Sequence, residues 1–506
     1  MNVRLILLFL CIQGSCWSVA GQTPSPVLIE WQKDYLDLGG TDGTEIRQIA
    51  DGGYILGGIV FGYSYGAPNY WALKLNSTGA VSWQGAFGGS NLEFMRKVLP
   101  LSDGGTVLVG TSDSFTDGNK TSPNLGSSDI WMVRLDASGN KLWDRSVGLS
   151  LAEQNASGCS TSDGGFLLGA QAIANSRRTD YFVYRVNSTG DVLWSRSFGG
   201  LTNDRLWSVQ QTVDGGFILG GDSTSRIGGE KSAPNLGAYD YWLVRVDTNG
   251  NKIWDRTYGG TNNDVLQVVR QTQDGGFLLA GSSASGIGGN KTTPALGGSD
   301  WWIVRVDSSG NKLWDKTFGD SGDEDISGVE VLSDGGFLIV GTSTSGSGAN
   351  KDAPSWGGHD VWLVRIDSQG NRLWDFSLGG NDRDFGRSVQ QTADGGFIVC
   401  AASVSGISGN KTTTASIFGN IWVIKLSPER PHLRWEPCCF EDVGPQWSLL
   451  LHGVSNLTYR TETSTNLVNW NPIRTNQVAG NDVEILKGNL SLQSKRFYRA
   501  VQIPTP

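Results

Sequence analysis

Histidine, cysteine and long apolar runs are scarce in this sequence, and each scarcity argues against a class of protein. Three histidines and six cysteines occur in 506 residues, and no cysteine pair has the spacing of a zinc site. Beyond the first twenty residues no apolar stretch is long enough to span a bilayer as a helix. A formal net charge of −9 argues against nucleic-acid binding, which needs a basic surface. We therefore expect no metal, no cofactor, no nucleic-acid partner and no transmembrane segment.

Catalytic patterns are equally scarce. No nucleophile motif such as G-x-S-x-G is present. The acidic stretch "DSGDEDIS" (Asp320–Ser327) lacks the spacing of an EF-hand calcium loop. The sequence therefore favours binding over catalysis and leaves open whether any reaction occurs.

Glycine and tryptophan are abundant instead. The chain has 71 glycines and 20 tryptophans, a composition typical of many short strands joined by tight turns. Its length is enough for more than one domain. The expected fold class is all-β.

Residues 1–20 have the pattern of a secretory signal peptide. Arg4 precedes the apolar run "LILLFLCI", and Ser18, Val19 and Ala20 form a small-residue cleavage site. A lipoprotein acylated at Cys16 is the less favoured alternative. The sequence thus predicts a protein that is secreted or held at the cell surface.

Four cysteines remain after residue 20. Cys159 and Cys400 lie in strand-like segments of distant repeats, so we expect no disulfide between them. Cys438 and Cys439 are adjacent, and three states stay open for them: a vicinal disulfide, a bridge to another partner, or free thiols.

A unit of 51 to 60 residues occurs seven times. The "DGG" signal begins at Asp51, Asp103, Asp163, Asp214, Asp274, Asp334 and Asp394. A tryptophan follows the same step at Trp31, Trp83, Trp143, Trp194, Trp254, Trp314 and Trp374. Periods of this length in a strand-rich chain indicate a propeller or a solenoid.

Each unit divides into four strands. In the fifth unit they are "DVLQVVRQT" (Asp264–Thr272), "GFLLAGSS" (Gly276–Ser283), "DWWIVRVD" (Asp300–Asp307) and "NKLWDKTF" (Asn311–Phe318). The second and third are apolar on both faces, as expected for a sheet between two others. Four antiparallel strands per unit, seven times, predict a seven-bladed β-propeller.

The two ends of the array predict that the ring is closed. The array begins with a lone fourth-type strand (Leu28–Gly40) and ends on a third-type strand (Asn420–Leu426) without a fourth after it. If the N-terminal strand completes the last blade, no sheet edge is left open. A linear solenoid would gain nothing from this phase shift.

The repeat resembles known propeller units. "GGFILGG" followed by "DYWLVRVDTNGNKIW" is similar to kelch repeats, and "VDSSGNKLWDKTFG" is similar to the tryptophan-docking repeats of quinoprotein-like propellers, although one residue shorter between Asp and Gly. The nearest resemblance is to uncharacterised secreted bacterial propellers. It covers about residues 27–427 and implies a fold more than a function.

A second domain is expected after the propeller. Residues 428–438 read as a proline-bearing linker, and residues 439–506 alternate apolar and polar positions like a small β-sandwich. "YRTETSTNLVNW" and "RFYRAV" resemble fibronectin-like C-terminal modules of exported bacterial proteins.

Binding residues are expected on the long loops between strands two and three, since binding groups concentrate on loops of a rigid scaffold. Five units carry the full loop, each with one lysine: Lys120, Lys231, Lys291, Lys351 and Lys411. Four of the lysines follow an asparagine: Asn119, Asn290, Asn350 and Asn410. Together they predict an arc of cations and amides for an acidic glycan or protein surface. The alternative, which we favour, is that each lysine makes a local contact.

Aromatic residues out of register are further candidates. The repeated tryptophans are expected to pack between blades. Trp356 breaks the register and is the aromatic expected to be exposed, together with Tyr63 and Tyr65 of the short first loop.

An acid opens strand one in six units: Glu93, Glu153, Asp204, Asp264, Glu324 and Asp384. Strand three carries a base in all seven: Lys74, Arg134, Arg185, Arg245, Arg305, Arg365 and Lys425. One hypothesis places the acids around the channel mouth, where they hold a cation or act as a glycosidase pair. The favoured hypothesis makes acids and bases structural pairs or caps. The strand-three aspartates, for example Asp240 and Asp300, are expected to cap loops.

The functional prediction is an exported, monomeric, non-enzymatic binding or scaffold protein. Its loop-rich propeller face is expected to bind a polysaccharide or a protein. The alternative is a glycan hydrolase or lyase that uses carboxylates at the channel mouth.

Overall fold

A computed structural model gives the fold as strands and turns. It describes residues 9–12, 15–18, 26–35, 41–61, 68–174, 178–414, 419–429, 432–441, 444–452, 458–464, 469, 471–477, 482–488 and 497–503. No helix occurs among these residues, so none of them forms a helical membrane span. Two compact units are separated: residues 31–393 with 397–425, and residues 1–30 with 394–396 and 426–506.

Seven four-stranded antiparallel sheets form the blades of a β-propeller. The first three blades contain, in order, Thr41–Gln48, Tyr54–Val60, Asn69–Leu75 and Val81–Phe87; Glu93–Pro100, Thr106–Ser112, Asp129–Leu135 and Lys141–Val147; Glu153–Ser160, Phe166–Ala174, Arg178–Val186 and Val192–Phe198. Blades 4 and 5 contain Asp204–Gln211, Phe217–Ser223, Asp240–Val246 and Lys252–Tyr258; Asp264–Gln271, Phe277–Ser283, Asp300–Val306 and Lys312–Phe318. Blades 6 and 7 contain Glu324–Val331, Phe337–Ser343, Asp360–Ile366 and Arg372–Leu378; Asp384–Gln391, Phe397–Ser403, Asn420–Leu426 and, last, the N-terminal strand Ile29–Tyr35. The predicted seven-bladed fold is confirmed.

The N-terminal strand closes the ring. It pairs with Asn420–Leu426 as the fourth strand of blade 7, as the sequence predicts. Gln32 ties it to that blade, because its Oε1 accepts hydrogen bonds from Nε1 of Trp422 and N of Thr412, both at 3.1 Å. The third strand of blade 7 is therefore not left as an exposed sheet edge, and such an edge would be prone to aggregation.

The core lies between neighbouring blades. Strands two and three of blade 5 are buried along their whole length. Tyr241 of blade 4 stacks on Trp302 of blade 5 with ring centroids 4.8 Å apart, and its hydroxyl donates to the Trp302 carbonyl at 2.9 Å. Blades 7 and 1 share a core in the same way, in which Cys400 and Ile421 pack with Ile46. Each blade thus buries its two apolar faces only because the next blade is present.

The tryptophans of strand four pack between blades, which confirms the packing prediction. The Trp254 ring meets Phe277 of the next blade edge-on, with centroids 6.2 Å apart. It also lies against Gly310, whose φ of 79° belongs to the tight turn between strands three and four of blade 5. A side chain at Gly310 would be strained in this backbone and would meet the indole ring.

The bases of strand three pair with the aspartate of the DGG turn. Nη2 of Arg245 lies 2.5 and 2.6 Å from the carboxylate oxygens of Asp214, and Nζ of Lys74 lies 2.9 Å from Asp51. Arg134, Arg185, Arg305 and Arg365 form the same pairs with Asp103, Asp163, Asp274 and Asp334. This corrects the predicted partner, because the strand-one acids lie at the opposite end of the blade.

The second unit contains short strands. Phe9–Ile12 pairs with Ser15–Ser18. Two three-stranded antiparallel sheets follow the propeller: His432–Glu441, Gly444–His452 and Asp482–Gly488; Asn471–Gln477, Thr458–Ser464 and Phe497–Ile503. The first of these strands begins inside the predicted linker 428–438. The signal peptide and the fibronectin-like character of the module stay predictions.

The two described thiols are free, as expected. Cys159 and Cys400 make no disulfide, and burial raises the pKa of Cys159 to about 11. The side chains of Cys438 and Cys439 lie outside the described residues.

Candidate functional site

Five long loops form one face of the propeller together with the connections between blades. In blade 5 the loop that joins Ser283 to Asp300 lies against the connection that follows strand four of blade 4, where N of Asn290 donates to the Gly259 carbonyl at 3.0 Å. Near its end, Ser299 forms a parallel bridge with Asp323 of the next connection. The long-loop face is the surface made by these loops in blades 2, 4, 5, 6 and 7.

The loop lysines are buried. Lys120, Lys231, Lys291, Lys351 and Lys411 expose only 1–2% of their surface. In blade 5, Nζ of Lys291 donates to Oγ1 of Thr317 at 2.7 Å and lies 5.4 Å from the centroid of the Trp302 ring. Burial lowers the pKa of Lys231 and of Lys291 to about 8. These ammonium groups face the loop interior, so the lysines make the local contacts that we favoured.

An aspartate of strand four pins each loop to the blade. Asp315 accepts hydrogen bonds from N of Thr292 at 2.8 Å, from Nε1 of Trp302 at 3.0 Å and from Nζ of Lys312 at 2.7 Å. Burial opposes its ionisation, but these bonds outweigh burial and lower the pKa of Asp315 to about 2.

The same aspartate occurs in every long-loop blade except the seventh. Asp144, Asp255 and Asp375 accept the equivalent bonds from Trp131, Trp242 and Trp362, and Gln32 takes the position in blade 7. Blades 1 and 3 have short loops, with Gln84 and Ser195 at this position. An aspartate at this position therefore occurs in four of the five long-loop blades and in neither short-loop blade.

The asparagines clamp the loop to the preceding connection. Oδ1 of Asn290 accepts from N of Gly259 at 2.9 Å, while its Nδ2 donates to the Thr257 carbonyl at 2.9 Å. Asn119, Asn350 and Asn410 make the same pair of bonds in their blades. A binding role for these nine loop lysines and asparagines stays a prediction, and it would depend on the outer surface of the loops that they hold.

Exposed apolar side chains lie at the tips of these loops. Phe115, Ile227, Ile287 and Ile407 expose 67%, 61%, 70% and 65% of their surface. Trp356, the tenth predicted binding residue, exposes 40%, as expected of it. Tyr63 and Tyr65 lie outside the described residues. Because the loop bases are pinned, these apolar groups are presented at fixed positions.

The acids that open strand one are buried caps. All six are 0% exposed, and none lines the central channel. Asp264 accepts from N of Gly260 at 2.7 Å and from Oγ of Ser285 at 2.9 Å. These acids therefore do not form a ring at the channel mouth, because their carboxylates face the loop interior; whether they hold a cation stays a hypothesis.

Five of the six strand-one acids lie near an aspartate of strand three in the preceding blade, and Glu93 lies near Asn69 instead. Asp129 and Glu153 both approach Gly148: a Cβ on this glycine would lie 2.7 Å from an oxygen of each. Neither oxygen has a hydrogen-bond partner. Burial first, and the charge of Asp129 in addition, raise the pKa of Glu153 to about 7. Within the described part of the chain no group of three acidic, histidine or cysteine side chains is arranged to hold a metal ion.

The strand-three aspartates cap loops, as predicted. Asp240 accepts from N of Leu236 at 2.6 Å and from N of Gly237 at 3.1 Å. Asp300 caps Leu296 and Gly297 in the same way.

The central channel contains a cavity of about 470 Å³. The first strand of every blade has a β-bulge, where one residue leaves the pairing register with strand two. A bulge redirects the side chain of the extra residue, and here that side chain lines the cavity. The bulge ring comprises Thr44, Arg96, Asn155, Trp207, Gln267, Ser327 and Arg387.

The bulge in blade 3 differs from the others. It contains two residues, Asn155 and Ala156, and Asn155 has a φ of 53°. Such a conformation is uncommon outside glycine and is tolerated best by asparagine. Oδ1 of Asn155 accepts from Nη2 of Arg96 at 3.2 Å, so the irregular backbone orients a cationic neighbour.

Cations outnumber carboxylates along the channel. The lining includes Arg47, Arg96, Lys97, Arg270 and Arg387 against Asp42 and Glu45. Glu45 bonds Arg47 at 2.6 Å and lies 3.4 Å from Nζ of Lys97. Asp42 pairs with Arg387 at 3.0 Å. Desolvation first and the charge of Arg387 second lower the pKa of Arg96, while the charge of Asp42 opposes them.

Comparison with known proteins finds similarity in sequence to a regulatory protein. No protein-family model matches the chain. Regulatory protein FlaEY of Caulobacter vibrioides is 25% identical over an alignment of 369 residues, which covers 63% of this chain and 37% of FlaEY. The chain therefore spans little more than a third of the length of that relative.

Two solved structures are similar at low identity. One is the β-propeller domain of the trilobed protease from Pyrococcus furiosus, with a TM-score of 0.40 and 8% identity over 76% of this chain and 93% of that one. The other is the Pan2 WD40 domain of Neurospora crassa, with a TM-score of 0.36 and 10% identity over 66% and 90% of the two chains. The propeller assignment here rests on the sheets of the chain itself.

Proposed function

We propose that this chain is a non-enzymatic binding or scaffold protein whose long-loop face docks a protein partner. The observation that carries the proposal is the set of exposed apolar tips at Phe115, Ile227, Ile287, Ile407 and Trp356, held on loops that are hydrogen-bonded to their blades. Rigid apolar side chains surrounded by polar ones are typical of protein interfaces. The name of the relative FlaEY, a regulatory protein, agrees with a role exercised by binding.

A protein partner is favoured over a polysaccharide on this face. The predicted contact with an acidic glycan relied on the loop lysines, and their ammonium groups are buried. Glycan platforms need open aromatic faces, and only Phe115 and Trp356 among the five tips are aromatic.

The experiment compares capture by matched variants of the full chain. A fourfold variant (Phe115→Ser, Ile227→Ser, Ile287→Ser, Ile407→Ser) removes four of the five tips, whereas Val213→Ser changes an even more exposed apolar residue in a DGG turn. We expect cross-linking to a protein partner with the wild type and Val213→Ser, and none with the fourfold variant. Equal capture by all three, or binding only to a glycan array, would contradict the proposal.

We also propose export, on the basis of residues 1–20. A fusion of a reporter to the full chain is expected to appear outside the cytoplasm, and a fusion that starts at residue 21 is expected to stay inside. Identical location of the two fusions would contradict export.

A further inference from the structure

The bulge ring has the chemistry of a ligand site, and the docking proposed for the long-loop face does not involve it. Its seven side chains include two arginines, two amides, two hydroxyls and a tryptophan, and no carboxylate. The cavity in front of them is about 470 Å³, which is within the range of small-molecule sites.

Charge in the channel is incompletely balanced. Arg96 donates to the amide oxygen of Asn155 at 3.2 Å and forms no ion pair with any carboxylate of the described residues. Arg270, which also lines the channel, donates to the Val269 carbonyl at 3.0 Å and likewise forms no ion pair within the described residues. Arg96 is exposed to the channel and Arg270 is half-buried, and a concave wall with an excess of cations attracts an anion.

We propose that the bulge ring binds a small acidic sugar, a uronate or a sulfated monosaccharide, with its anionic group between Arg96 and Arg387. Guanidinium groups present paired N–H donors that match the planar oxygens of a carboxylate or the oxygens of a sulfate. Arg387 keeps Asp42 at 3.0 Å, which orients it while leaving further donors for the ligand.

The rest of the ring suits the sugar itself. Nε1 of Trp207 donates to Asp222 at 2.7 Å, which fixes the indole as an apolar wall of the cavity. Gln267 is held by Ser282, whose Oγ accepts from Nε2 at 3.2 Å and whose N donates to Oε1 at 3.1 Å. One amide hydrogen of Gln267 then remains for a sugar hydroxyl. These side chains are ordered before the ligand binds, which reduces the entropy cost of binding.

Calorimetric titration of the full chain tests this site. The probes are glucuronate, N-acetylglucosamine 6-sulfate, glucose and sodium sulfate. We expect one or both acidic sugars to bind, glucose to bind at least tenfold more weakly, and inorganic sulfate to bind more weakly than either sugar. The two acidic sugars distinguish a carboxylate from a sulfate as the recognised group.

Variants locate the binding in the ring. Arg96→Gln and Arg387→Gln are each expected to reduce the affinity at least tenfold, whereas Arg383→Gln, on an exposed connection of the same blade as Arg387, is expected to leave it unchanged. Thermal unfolding of each variant checks that the fold is intact. The proposal is overturned if no acidic sugar binds, if glucose or sulfate binds as well, or if folded Arg96→Gln and Arg387→Gln keep the wild-type affinity. None of these outcomes depends on a protein partner at the long-loop face.

Discussion

The ammonium group of Lys411 lies 2.7 and 2.8 Å from the two carboxylate oxygens of Asp34, a residue near the other end of the propeller sequence. Both side chains are buried. In blades 4 and 5 the equivalent lysines instead donate to Thr257 and Thr317. The seventh blade, the only one assembled from both ends of the propeller, thus holds its two parts together with an ion pair where those blades use a hydroxyl.

Replacement of Asp34 is expected to weaken the closure, and the loss depends on whether the new side chain still offers a hydrogen-bond acceptor to the ammonium group of Lys411. Asp34→Ala leaves a buried cation without its partner and should lower the free energy of unfolding by about 3 kcal/mol. Asp34→Thr restores the partner found in blades 4 and 5 and should cost only about 1 kcal/mol. Urea denaturation of both variants measures the difference, and equal losses would show that the ion pair does not stabilise the closure.

Asp315→Ala is expected to release the loop of blade 5. The change leaves Nε1 of Trp302 buried without an acceptor, at a cost of about 2–3 kcal/mol, and frees the amide of Thr292. Hydrogen exchange should become faster across residues 284–299. Gln84→Ala is the matched control, because Gln84 holds the same position in a short-loop blade; exchange that rises equally in both variants would contradict the anchoring role.

Glu153 is expected to make stability fall as the pH rises. Its pKa is raised from 4.5 to about 7 by burial and by Asp129, so the folded state holds a proton that the unfolded state has lost. This contribution is complete below pH 4.5 and disappears as the pH rises through 7. Glu153→Gln should remove on the order of 2 kcal/mol of pH dependence between pH 5 and 8.

Urea denaturation at several pH values measures this effect. The exposed change Glu230→Gln serves as the control and should leave the wild-type slope. A slope that Glu153→Gln does not reduce would mean that Glu153 is ionised in the fold.

Gly259→Ala is expected to disturb the junction of blades 4 and 5. A Cβ at this position would lie 2.0 Å from Oδ1 of Asp240, and a buried carboxylate cannot move away without losing its caps. The cost should be about 2–3 kcal/mol. Gly286→Ala adds the same methyl group in the blade 5 loop, where nothing lies within 4 Å, and should be neutral. Similar melting temperatures for both variants would contradict the prediction.

The fold was accessible from the sequence because seven copies of one unit define its strands repeatedly. The four strands expected in blade 5 agree with the observed ones to within one residue at each end, for example Asp300–Asp307 against Asp300–Val306. The lone fourth-type strand at the beginning also identified the closure. Both inferences depend on patterns within a few residues, which a single sequence contains.

The site was less accessible, because its chemistry depends on contacts between distant segments. Lys291 looks like a surface cation, and only the hydroxyl of Thr317, 26 residues later, and the Trp302 ring show that it is buried. The bulge ring was missed altogether. The sequence did contain a signal for it, namely one variable position within a closely repeated strand. The third residue after the strand-one acid differs from unit to unit, as in Arg96, Trp207 and Gln267.

At the bulges, two roles that most β-sheet positions combine are separate: alignment of the strand with its neighbour, and the contact that the side chain makes. A residue that has left the pairing register can be exchanged without altering the alignment of its own strand, and seven such residues face one small space. The channel can therefore be reprogrammed one blade at a time, so that saturation libraries at these seven codons would explore new specificities on an unchanged scaffold.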